Sequence, residues 1–204
     1  MKEDVLEQIV DDYLQTQGYF TRHNLKFKPD PAHPDYAGPK DRIASDIDVL
    51  GFNPALTGPA KVIAVSCKSN QDGFNAGARL KAVRDGKKIG RRPAWTNFRE
   101  LWIPKWNEAF RNEIVRLTGQ DSFSYRIAVT HLTGRDTRAE SERQWFTDPK
   151  VNKSLDNCDF GFLTLEEMWK TIIAKPERTP EASEIGRLAQ LLKAANLVEA
   201  GRRA

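Results

Sequence analysis

Cysteine is nearly absent from this chain: Cys67 and Cys158 are the only two in 204 residues. Neither belongs to a C-x-x-C pair or stands at ligand spacing from a histidine, which excludes a disulfide framework and a zinc ribbon. Both lie inside apolar, strand-like segments and read as buried free thiols in a reducing compartment. The three histidines are equally uninformative. His23 and His33 show no metal spacing, and His131 ends a strand-like segment, where a hydrogen-bonded structural role is the ordinary reading. No run of about 18 apolar residues exists, so nothing in the pattern is built to span a membrane. The opening Met1-Lys2-Glu3-Asp4 is acidic and brings no apolar stretch of a signal peptide. Together with the free thiols, this predicts a cytoplasmic protein. A nucleotide-binding glycine loop, a G-x-S-x-G elbow and internal repeats are missing as well.

What is present is the composition of a folded protein. Apolar residues make up 39% and charged residues 29%, enough for a core and too apolar for disorder. The net charge of +4 permits nucleic-acid binding without arguing for it.

Apolar spacing of three and four (Val5, Leu6, Ile9, Val10, Tyr13, Leu14) predicts an amphipathic helix over residues 2–17, stopped by Gly18. Strands are predicted over 19–28, 43–52 and 61–68, with a proline-rich loop between the first two. Helical patterning follows in 75–83 and 95–117, then strands at 122–132 and 157–163 separated by a polar segment. Helices are expected over 165–174 and 183–200. A helix before a three-strand meander, with a helical crossover before the next strand, implies an α/β fold with a mixed sheet and helices on both faces. The expected division is a domain over residues 1–175, carrying a basic helical insertion at about 75–118, and a C-terminal helix in 176–204.

Strand residues two apart point the same way. On the second strand this pairs Asp46 with Asp48, leaving Ile47 and Val49 on the other face; on the third it pairs Ser66 with Lys68. Neither an aspartate nor a lysine is cheap to bury alone, so Asp48 and Lys68 are expected to meet at a sheet end. An ordinary salt bridge is one reading of such a pair, and a reactive site is the other.

The strings Arg42-Ile43-Ala44-Ser45-Asp46-Ile47-Asp48-Val49-Leu50-Gly51 and Val62-Ile63-Ala64-Val65-Ser66-Cys67-Lys68-Ser69, preceded by the helix around Leu6-Glu7-Gln8-Ile9-Val10, resemble the core of the PD-(D/E)xK nuclease superfamily. The likeness is to its Mrr-like and Holliday-junction-resolvase branch, and it covers residues 5–68. It implies a restriction-endonuclease-like α-βββ-α-β core and a Mg²⁺- or Mn²⁺-dependent DNA endonuclease of restriction, defence or repair. Asp48, the backbone carbonyl of Cys67, and Glu7 (directly or through water) would be the metal ligands. Lys68 would orient or activate the attacking water. Oxygen ligands suit a hard divalent cation, and a lysine adds charge where an oxyanion develops.

The chain departs from the family at one position. Ser66 stands where an acidic residue, or in this branch often glutamine, is usual, and it brings an oxygen without charge. Asp46, Asp72 and Glu7 are the carboxylates that could compensate. With none of them in place, the fold would serve as a catalytically degenerate module binding nucleic acid or a protein partner. If Ser66 is simply a weakened ligand, Ser66→Glu or Ser66→Gln should raise cleavage. Glu7 also has a plain alternative, since it falls at the border of its helix's apolar stripe and could be an ordinary solvent-edge residue.

Between residues 79 and 105 nine basic side chains face two acidic ones, a local excess of +7. Arg79, Arg84, Lys87, Lys88, Arg91 and Arg92 are the candidates for phosphate contact, with Lys87 to Arg92 expected as a mobile loop. Trp95, Phe98, Trp102 and Trp106 are interleaved. Exposed tryptophans would stack on bases, but Phe98, Trp102, Trp106 and Phe110 fall on one helical stripe, the pattern of a core. DNA is the expected partner, and the pattern leaves a homodimer open.

Overall fold

The computed structural model describes residues 4–174 and 184–197. The C-terminal part of the last predicted helix and the basic tip Gly201-Arg202-Arg203-Ala204 lie outside the described residues.

In chain order the elements are α1 (Val5–Thr16), β1 (Phe20–Phe27), β2 (Ser45–Phe52), β3 (Val62–Lys68), β4 (Phe74–Asn75), α2 (Ala76–Arg84), β5 (Lys88–Ile89), β6 (Arg92–Pro93), α3 (Arg99–Trp102), α4 (Pro104–Thr118), β7 (Ser124–Val129), β8 (Leu132–Thr133), α5 (Arg138–Phe146), α6 (Pro149–Ser154), β9 (Asp159–Thr164), α7 (Leu165–Ala174) and α8 (Glu184–Ala194). Five strands form one mixed sheet in the order β1-β2-β3-β7-β9. The first three are an antiparallel meander, and β3, β7 and β9 run parallel. Parallel neighbours need crossovers, and here the crossovers carry the helices.

Each face of the sheet has its own core. Ile63, Val65, Val49, Ala128 and Leu163 pack against α1, α7 and α8. Val62, Ala64, Tyr125, Ile127 and Val129 pack against the helices of the two crossovers on the other face. The tryptophan stripe belongs to that second core: Phe98, Trp102, Trp106 and Phe110 are all buried. Base stacking by Trp102 and Trp106 is thereby removed from the functional reading.

Local chemistry explains most element ends. Asp4 caps α1 by accepting the Leu6 N–H at 3.0 Å. Gly18, at φ +84°, takes the left-handed turn that stops it. The segment predicted as one helix over 95–117 is broken, because Pro104 holds Ile103 extended (φ −118°, ψ 116°) and α4 restarts with proline in its first turn. The polar segment 133–154 holds two helices that apolar periodicity did not announce. A capping box of Thr137 and Glu140 starts α5, and Asp148 followed by Pro149 starts α6. Among the described residues no helix is long and apolar enough to cross a membrane.

Candidate active site

β2 and β3 are paired as far as Val49 opposite Val65 and then part. One residue past the last pair, the Asp48 carboxylate takes over the role of a strand partner: its Oδ2 accepts the Cys67 N–H at 2.6 Å. The other side of Asp48 is also irregular. Its ladder with β1 skips the position of Asn24, which is left-handed at φ +51°. As a result Ile47 packs into one core and Val49 into the other. The expectation that these two share a face is overturned, because side-chain alternation slips where the ladder is interrupted.

Lys68 and Ser66 do share a face. The Lys68 ammonium donates to Ser66 Oγ at 2.7 Å and stands over the Phe98 ring, 5.6 Å from its centroid. Asp48 and Lys68 therefore come together at the parted strands, but each bonds to another group. The plain salt bridge is not what joins them. Burial raises the Asp48 pKa, Lys68 and the Cys67 N–H lower it, and the charges of Asp46 and Glu100 raise it again.

Glu100 is the residue that sequence reasoning missed. It lies in the first turn of α3, is 7% exposed, and accepts the Tyr125 hydroxyl at 2.5 Å. Asn107 holds its main-chain carbonyl at 2.7 Å. The available signal was a lone carboxylate inside the apolar run Phe98-Arg99-Glu100-Leu101-Trp102, which burial would force to find a partner. Tyr125, fully buried on β7, has a pKa pushed well up by burial and by Glu100, with Ser66 acting on it as a hydrogen-bond partner that lowers it.

α1 brings in Glu7. Its helix start is tied to the chain just past Lys68, since Ser69 Oγ donates to Asp4 at 2.5 Å. Glu7 is half-buried, and its pKa is raised to about 7, first by burial and then by Asp48, Asp4 and Asp46; His23 opposes this. A carboxyl with a folded pKa above its unfolded value stabilises the fold at low pH and loses that contribution as pH rises toward 7. Glu7→Gln is accordingly expected to raise stability at pH 8 by about 1 kcal/mol after solvent screening, and to change nothing near pH 4. Thermal unfolding at the two pH values checks this; an equal effect at both would refute it.

The other candidates fare differently. Asp46 pairs with Lys26 at 2.6 Å, and its charge is felt by both Glu7 and Asp48. Asp72 is exposed in the turn after β3. His131 is exposed and lies against Gly73. Among the described residues no three His, Cys, Asp or Glu side chains are grouped closely enough to hold a metal ion between them. The donors nevertheless suit a Mg²⁺-like ion in kind. They are oxygens, the nearby carboxylates repel one another, and such an ion binds through one or two carboxylates while keeping water and phosphate oxygens.

The basic run, expected as a mobile loop, forms a short hairpin of β5 and β6. Lys87, Lys88, Arg91 and Arg92 are exposed on it. Arg84 is withdrawn from the phosphate-contact set by its 2.6 Å pair with the buried Asp148, and Arg79 lies over the Phe74 ring at 6.0 Å. The hairpin leads through residues 94–98 into α3, which carries Glu100; burial lowers the Arg99 pKa there, Glu100 raises it, and Arg92 lowers it further. No family model, curated protein or solved structure matches the chain.

Proposed function

We propose that the chain is a metal-dependent phosphodiesterase that cuts DNA, of the PD-(D/E)xK kind, serving restriction, defence or repair. The observation that supports this reading is the state of Asp48 and Lys68: the Asp48 carboxylate bonds the Cys67 main chain and the Lys68 ammonium bonds Ser66, so that each feels the other's charge without being spent on it. A salt bridge kept only for stability would pair them directly. Here Asp48 keeps Oδ1 for a ligand, and Lys68, with three donors and one bond to Ser66, keeps two for substrate.

Asp48 and the Cys67 carbonyl would hold Mg²⁺ or Mn²⁺, with Glu7 reaching it directly or through water. Bound there, the ion would supply charge neutralisation at the phosphate and a lowered pKa for water. Lys68 orients the attacking water and stabilises the charge that builds on the phosphate oxygens. Water adds to phosphorus, the bond to one sugar oxygen breaks, and that oxygen leaves with a proton. Glu100 supplies the buried negative charge that Ser66 does not.

Supercoiled plasmid incubated with the protein tests this. Nicked or linear product is expected with Mg²⁺ or Mn²⁺ and none with chelator; intact plasmid in both metals would reject the enzyme. The hairpin makes a separate prediction. Replacing Arg91 and Arg92 with alanine is expected to weaken DNA binding evenly across sequences, and to reduce the slope of log affinity against log salt by about one per lost phosphate contact. An unchanged slope would place the DNA elsewhere.

The uncharged Ser66, and the lack of a three-ligand group among the described residues, favour a second reading, a degenerate nuclease-fold module that binds DNA without cutting. Calorimetric titration separates the two. Salt-dependent DNA binding with no heat of Mg²⁺ or Mn²⁺ binding selects the module.

A further inference from the structure

We propose that Tyr125 and Glu100 are positioning residues for Lys68, joined to it through the Ser66 hydroxyl in one hydrogen-bonded relay. The role given to Lys68 rests on the nuclease reading above; the relay itself does not.

Two links are direct bonds: Lys68 Nζ to Ser66 Oγ at 2.7 Å, and Tyr125 Oη to Glu100 Oε1 at 2.5 Å. Strand register supplies the join between them. Ala64 lies opposite Tyr125 and Ser66 opposite Ile127 on the parallel pair β3 and β7, so Ser66 and Tyr125 are diagonal neighbours on one face. That diagonal places the Ser66 hydroxyl toward the phenol, whose pKa it lowers against the effect of burial and Glu100.

The chemistry of the two ends sets the direction. An ammonium only donates and a carboxylate only accepts. Lys68 donates to Ser66, Ser66 to Tyr125, and Tyr125 to Glu100. Each hydroxyl accepts one bond and gives one, and each bond polarises the next. A lysine's flexible stem carries rotamer entropy that must be lost before it acts. The relay and the Phe98 ring hold it in place in advance, as a site on rigid elements requires. The phenol is itself fixed, 1% exposed and stacked on Phe160 with ring centroids 6.3 Å apart at 10°.

Ser66 is then a link suited to its place, and no longer a weakened ligand. A carboxylate at position 66 would accept from Lys68 but bring no proton for the phenol oxygen, and it would stand near the buried Glu100. Ser66→Glu is therefore expected to lower cleavage, the opposite of what the strand pattern alone suggests.

Proton NMR of the whole chain tests the relay without requiring activity. A downfield hydroxyl resonance, assigned to Tyr125 by its loss in Tyr125→Phe, is expected to move by more than its linewidth in Ser66→Ala and in Lys68→Met, and to survive in Ser66→Thr. Amide spectra report whether each variant is folded. A resonance indifferent to Ser66→Ala and Lys68→Met, or none in the unsubstituted chain, overturns the relay. Cleavage assays form the second arm. Tyr125→Phe and Ser66→Ala are expected to lower kcat about 10–100-fold with KM kept within about twofold. A gain on Ser66→Glu would overturn the proposal. A chain that cuts nothing yet shows the coupled resonance would refute the nuclease reading and leave the relay standing.

Discussion

Lys68→Ala is expected to lower metal-dependent DNA cleavage by about 10²–10³-fold, the cost of removing one preorganised donor from a developing oxyanion. Asp48→Ala should do at least as much, since it removes the carboxylate nearest the Cys67 main chain at the parted strands. Substrate binding is expected to change far less than turnover in both variants. The loss should not be a folding defect. Burial makes the ionised form of Asp48 costly, which puts its folded pKa above the unfolded value. Its contribution to stability is thus present at low pH and is lost as pH rises through the folded pKa. Asp48→Asn keeps an acceptor for the Cys67 N–H and removes the buried charge, so at pH 8 it should be as stable as the unsubstituted chain or more so. An inactive variant with undiminished stability marks a side chain kept for its chemistry. Cleavage that persists in the Asp48→Ala, Lys68→Ala double variant would sink the proposed function.

Trp145→Ala is expected to cost about 3–5 kcal/mol, the range for truncating a large buried aromatic. Trp145 is fully buried in α5, with its ring edge-on to Phe98 at 4.9 Å and stacked on Phe160 at 6.0 Å. Its indole N–H donates to the Ala76 carbonyl at 3.0 Å, and that acceptor would lose its partner too. For a chain of this size the midpoint should fall by roughly 6–20 °C. Differential scanning calorimetry measures this directly, and a loss below about 1 kcal/mol would show that the surrounding rings close the gap. The site should feel the change before the fold is lost, because Phe98 lies between Trp145 and the Lys68 ammonium. Cleavage by Trp145→Ala is expected to decline at temperatures well below its unfolding transition.

Both predictions draw on residues whose legibility differed. Asp48 and Lys68 could be read from the chain because each interrupts an apolar strand, where a charge must have a reason. Trp145 could not, because α5 has too few apolar residues to show a periodic stripe; what starts it is a capping box. Lys87 to Arg92 gave a clear charge signal and a misleading conformational one: the hairpin depends on pairing across Gly90, which charge says nothing about. Arg84 looked like the other arginines of that run until Asp148, 64 residues later, was found holding it.

The sequence by itself determined the order of the main strands and helices, the mixed α/β class, the burial of the tryptophan stripe and the placement of Asp48 and Lys68 on neighbouring strands. All of these follow from periodicity and from the cost of burying charge, which act over a few residues at a time. Tertiary structure alone decided what surrounds that pair. The slip in alternation at Asp48 falls opposite the left-handed Asn24 in another strand. The partner of Tyr125 on β7 is Glu100 on a crossover helix, and α1 carries Glu7 to the same place. Long-range packing brings these groups together, and nothing in their spacing along the chain announces it.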